Sequence, residues 1–98
     1  MKKYVKKAMA VEAIQFRIDT IDTIVEWFEL NSFKGYLVNR NTPSMNILTL
    51  DGRIIVQEHD WIIRGVMGEF YSIKNNVFAL TYEPVEESIY HKLIDDGK

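Results

Sequence analysis

Between Gly35 and Pro84 the chain is a succession of short apolar runs, each closed by turn residues, and this punctuation limits the fold more than any other feature. The runs are "GYLVN", "MNILTL", "RIIVQ", "WIIRG" and "VMGEFYSI". Between them stand "RNTPS" around Pro43, Asp51-Gly52, and "EHD", and "KNN" (Lys74 to Asn76) follows the last. Short runs rich in β-branched and aromatic residues, spaced by turn chemistry, read as a meander of strands. Asp-Gly between two apolar runs is the strongest short hairpin signal, so a turn is expected at Asp51-Gly52. "VFALTYEP" reads as one more strand, ended by Pro84.

Three segments flank or precede that meander. "AMAVEAIQF" (Ala8 to Phe16) reads as a first strand, with Glu12 alone among apolar neighbours; it faces water or needs a partner. In "DTIDTIVEWFELN", Ile21, Ile24, Val25 and Phe28 recur at helical spacing, with Asp22, Glu26 and Glu29 opposite. Asp19 or Thr20 can cap this helix, which stops between Asn31 and Gly35. In "VEESIYHKLIDDGK", Val85, Ile89, Tyr90 and Leu93 show helical spacing, and Gly97 marks a stop. The expected fold is α+β. It has an antiparallel sheet of about five or six short strands, one main helix near the N-terminus and a short C-terminal helix. Short strands and glycine turns allow the sheet to be strongly bent or closed into a partial barrel. Residues 1–84 are expected to form a single α+β domain, and 85–98 a helical extension.

With 98 residues and 47% hydrophobic content, the chain suits one folded domain. Its net charge of -2 argues against tight nucleic-acid binding, although Lys2, Lys3, Lys6 and Lys7 make its start basic and its end is acidic. There is no cysteine, so disulfides, thiolate nucleophiles and cysteine zinc sites are excluded, and a cytosolic setting fits. No apolar window reaches the length of a membrane span.

The stretch "HDWIIRGVMGEFY" concentrates the residue types found at binding hot spots. Its simplest reading is a hairpin. Trp61 and Ile63 face one side, Ile62 and Arg64 the other, and Gly65 and Gly68 supply a turn with positive φ. The functional reading makes Trp61, Arg64, Glu69, Tyr71 and Lys74 a surface for a ligand or partner. Arg64 and Glu69 could equally pair across the hairpin. Gly-x-x-Gly here lies between strands and encloses Val66 and Met67, unlike a nucleotide-clamping loop. His59 sits in "EHD", but neighbours in an extended chain point apart, so a solvated turn is expected rather than a metal site. His91 falls in the acidic tail. No serine stands in a nucleophile elbow, and Glu86-Glu87 reads as a solvated face. No catalytic residue, metal or cofactor is therefore assigned, and an enzyme is not expected.

"VEAIQF", "DWIIRGVMGEFY" and "FALTYEPV" resemble, in that order, blocks of a family of small uncharacterised proteins of phages and prophages of Gram-positive bacteria. The resemblance spans about Lys6 to Val85. Relatives often have Pro-Gly-Asp where this chain has Glu58-His59-Asp60, and prolines where it has "SIKNN". The resemblance implies a phage-derived protein in the host bacterial cytoplasm. Such proteins often bind a host protein or sequester a signalling molecule, which makes an inhibitor of anti-phage defence the first expectation. A sponge for an anionic nucleotide, using Arg64, Lys74, Arg53 and Arg40 with Trp61 and Tyr71, is the second. A structural or assembly protein of the particle is the third. Exposed strand edges and twelve aromatics further suggest a homodimer.

Overall fold

The computed structural model describes residues 1–85; the expected tail helix lies outside the described residues. The elements are β1 (Glu12–Gln15), a 3-10 turn (Ile18–Thr20), α1 (Ile21–Leu30), β2 (Tyr36–Asn39), β3 (Ser44–Thr49), β4 (Gly52–Gln57), β5 (Trp61–Arg64), β6 (Phe70–Ile73) and α2 (Asn75–Thr81). The fold is α+β and every strand pairing is antiparallel. The strands do not form one sheet, however. They divide into two three-stranded sheets, of order β1-β5-β6 and β2-β3-β4.

The division falls at the turn between β4 and β5. Asp60 is 6% exposed, and its carboxylate accepts a hydrogen bond from the Gln57 backbone N–H at 2.9 Å. That closes the turn and redirects the chain away from β4. Phe16 then takes up the new strand's start: its N–H donates to the Asp60 carbonyl at 2.8 Å, and its carbonyl accepts from His59 N–H at 2.7 Å. β5 thus pairs with the distant β1, Ile14 opposite Ile62. Sequence neighbours alone could not indicate this pairing.

α1 has the expected buried face of Ile21, Ile24 and Phe28. Thr20 is its N-cap, but its hydroxyl donates to the Gln15 carbonyl at 2.7 Å instead of capping the helix. The same bond ties the turn before α1 to the end of β1. Phe16, Met45, Ile47, Val56, Ile62 and Phe70 complete the main core, between α1 and one face of each sheet.

Three turns depart from expectation. In the β3–β4 hairpin Thr49 pairs with Gly52, so the loop is Leu50-Asp51 rather than Asp51-Gly52. Gly52 has φ 107°, and neither loop residue has positive φ. The register stays one-to-one up to Gly52, so this is a two-residue loop whose positive φ falls on the first residue of β4. In the β5–β6 hairpin Gly68 has φ 81°, as the turn demands, whereas Gly65 does not have positive φ. A Cβ at Gly65 would run into the Glu69 carboxylate, the end of a flexible side chain that would have to move aside. Lastly, "KNN" is no turn and "VFALTYEP" no strand. Both belong largely to α2, and Ala8 to Val11 of the expected first strand are unpaired.

His59 holds φ 79°, a left-handed conformation costly for a residue with a side chain. It is exposed, and only its backbone groups make hydrogen bonds. His59→Gly is therefore expected to stabilise the fold by about 0.5–1 kcal/mol, relief of strain outweighing the entropy of an added glycine. Urea unfolding measures this; a lower midpoint at unchanged slope would contradict it.

Candidate functional site

β5 is the centre of its sheet, so both its edges are paired, and the full burial of Ile62 and Ile63, which alternate, shows that both its faces are covered there. Ile62 enters the main core. Ile63 is fully buried on the opposite face, together with the partly buried Ala13, Trp61, Tyr71 and Ile73 by strand alternation. This second face is roofed by α2 and forms the candidate site.

Three interactions set α2 in place. Lys74, immediately before the helix, pairs with Asp60 at 3.0 Å. The Asn75 side-chain oxygen accepts from Trp61 Nε1 at 2.9 Å and from Gln15 Nε2 at 3.4 Å. Phe78, one turn further on, lies flat on Trp61 with ring centroids 3.8 Å apart and an angle of 5°. Tyr82 follows four residues later and extends the stack, 5.2 Å from Phe78 at 22°. The aromatic column is thus built from one strand residue and an i, i+4 pair.

Beside the column runs an open groove. One part, of ≈ 530 Å³, is lined by Lys6, Lys7, Gly65, Glu69, Tyr71 and Tyr82 among others. The adjoining part, of ≈ 790 Å³, is lined by Ala10, Ala13, Trp61, Phe78, Pro84 and Val85 among others. Burial pushes the Tyr71 hydroxyl up to about 12, helped by a hydrogen bond with Tyr82 and by the charges of Tyr82 and Glu69. The folded state therefore favours the neutral phenol. The resulting stability is fully present below the ordinary tyrosine range near 10 and is lost as pH rises through about 12. Unfolding free energy measured by urea should decline between those values, and Tyr71→Phe should flatten the decline.

Of the five residues singled out in the sequence, Trp61 and Tyr71 converge on this face. Glu69 reaches the groove, but its carboxylate accepts the Met67 backbone N–H at 2.9 Å. Lys74 is bound to Asp60. Arg64 projects from the opposite face, where it meets Glu12 at 3.4 Å rather than Glu69, with its Nε buried and unpartnered. Glu12 is 67% exposed, so it faces water while it pairs. Nor do the remaining arginines join them: Arg40 pairs with Asp22 at 2.7 Å, and Arg53 lies opposite Leu48 in the other sheet. Asn75, Phe78 and Tyr82 were missed. Their signal was the four-residue spacing of Phe78 and Tyr82, which reads as one helix face and not as a strand.

Asp60 also departs from the expected solvated turn, since it is buried while His59 and Glu58 are exposed. Among the described residues no three His, Asp or Glu side chains converge, and no helix is long and apolar enough to cross a membrane. The groove offers aromatic and small apolar surface with two cations at one end, which is chemistry for holding a ligand. Comparison with known protein families, curated proteins and solved structures finds no match.

Proposed function

We propose that this protein is a non-enzymatic, phage- or prophage-encoded binding protein that works in the host bacterial cytoplasm. On this reading its groove takes up a segment of a host or phage protein, and inhibition of anti-phage defence is the role. The supporting observation is the Trp61–Phe78–Tyr82 column beside an open groove. Aromatic residues with a polar end are the usual anchors of protein recognition. A photoreactive benzoylphenylalanine at Met9, which lines the groove and is 60% exposed, tests the site in infected cells. A discrete adduct is expected at Met9 and none at Leu30, which is 77% exposed at the end of α1, away from the groove. Equal labelling at both positions, or none, would remove the proposal. Loss of defence inhibition when the groove is blocked would tie binding to role.

A sponge for an anionic nucleotide is the second reading, favoured by Lys6 and Lys7 beside Tyr71 and Tyr82. Calorimetry against cyclic and linear nucleotides separates it from the first; absence of heat ends it. A structural role in the particle would show as the chain in purified virions. We also propose a homodimer. Leu37, Leu48 and Ile55 are 52–63% exposed on one face of the β2-β3-β4 sheet, and such apolar surface favours self-association. Light scattering that gives a monomer at micromolar concentration would exclude it.

A further inference from the structure

The groove is chemically polarised along its length. Its two parts share Ala8, Met9, Val11, Thr81 and Tyr82, so they form one trough. Lys6 and Lys7 stand at one end and Glu83 lines the other part. Glu69 lies near the lysines, but its carboxylate is held by the Met67 N–H of its own turn. Neither lysine makes an ion pair with a carboxylate among the described residues. Ala8, Ala10 and Ala13 contribute small side chains to the trough, which lets an occupant's backbone approach closely. The wall opposite is the flat aromatic column.

We propose that the partner recognised here presents an acidic amphipathic segment. Its apolar residues would seat against Ala10, Ala13 and Phe78, and its carboxylates would meet Lys6 and Lys7. This inference rests on reading the groove as a protein-binding site and adds the chemistry of the partner. Two features carry it. The trough is apolar along its middle, which selects an apolar face. Its basic end has two lysines with no carboxylate partner among the described residues, which selects negative charge by complementarity and steers its approach. A basic segment would place like charges together and be rejected.

The test uses the full chain and two labelled amphipathic peptides with the same leucine face, one with glutamate and one with lysine on the polar face. Fluorescence anisotropy at low salt is expected to show the leucine–glutamate peptide binding about ten-fold more tightly, the scale of two exposed charge pairs. The preference should shrink at high salt. In the doubly substituted K6E/K7E chain it should reverse. Both lysines are exposed, so this variant keeps the fold, which circular dichroism verifies. Equal affinity for the two peptides, or a preference that survives K6E/K7E, overturns the acidic inference and leaves the groove standing as a binding site. Binding of neither peptide removes the protein-binding reading of the groove as well.

Discussion

Phe28→Ala is expected to destabilise the protein by about 3–5 kcal/mol, the range for truncating a buried aromatic residue. Phe28 is fully buried at the centre of an aromatic cluster. Its ring lies 4.8 Å from Phe33, 4.8 Å from Phe70 and 5.1 Å from Tyr36, so α1, the following loop, β2 and β6 all meet at this side chain. Several neighbours are themselves large rings, which cannot collapse into the space without leaving their rotamers. Domains of this size are stable by about 5–15 kcal/mol in total, so the loss takes the chain near the folding threshold. Urea unfolding followed by circular dichroism reads the effect. A loss below about 1 kcal/mol would mean that the core is not organised around this ring. Phe28→Leu keeps most of the apolar volume and should cost less.

The second large effect is expected at Ile63, and it tests the site directly. Ile63 is fully buried although it is not part of the main core cluster. By alternation it lies on the face that α2 covers, opposite Tyr71 on β6 and Ala13 on β1. Ile63→Ala should cost about 2–5 kcal/mol if α2 stays seated, because the cavity then has walls on every side. It should cost less than about 1 kcal/mol if α2 is detached in solution, since the side chain would already be wet. Leu80 is 89% exposed on the same helix, and Leu80→Ala should change stability by no more than about 0.5 kcal/mol. Near-ultraviolet circular dichroism from the Trp61–Phe78 stack should weaken in the Ile63 variant and persist in the Leu80 variant.

The two lysine-to-carboxylate pairings that the site invites are different in kind. Lys74 to Asp60 is built into the fold: Asp60 is nearly buried, and the lysine side chain is 59% exposed. It fixes where α2 begins. Lys6 and Lys7 lie on an exposed segment and belong to no element. Substituting Lys74 therefore reports on the placement of the aromatic column, whereas substituting Lys6 and Lys7 reports on the ligand. This separation makes the K6E/K7E test interpretable.

Local sequence determined the elements whose own pattern decides them. The α1 stripe of Ile21, Ile24 and Phe28 needs only helical periodicity, and it is buried as read. The alternation of Trp61 with Ile62 follows from the pleat, whatever the strand's partners. Gly68 is required by the backbone of its turn. What tertiary structure decided lies beyond the reach of neighbouring residues. "VFALTYEP" has apolar and aromatic residues that suit a strand, yet as a helix it lays Phe78 on Trp61, with Tyr82 at the helix end stacked on Phe78. β5 could have paired with β4, its neighbour in sequence. The buried Asp60 instead turns the chain, and a strand 44 residues earlier in the Gln15-to-His59 contact supplies the partner. Arg64 and Glu69 were close in sequence but separated by the pleat, so Arg64 found Glu12 across the sheet. The candidate site is thus legible in the sequence as Trp61 and Tyr71. Its walls were not, because they come from α2 and the N-terminal segment, which only folding brings to the same face of the sheet.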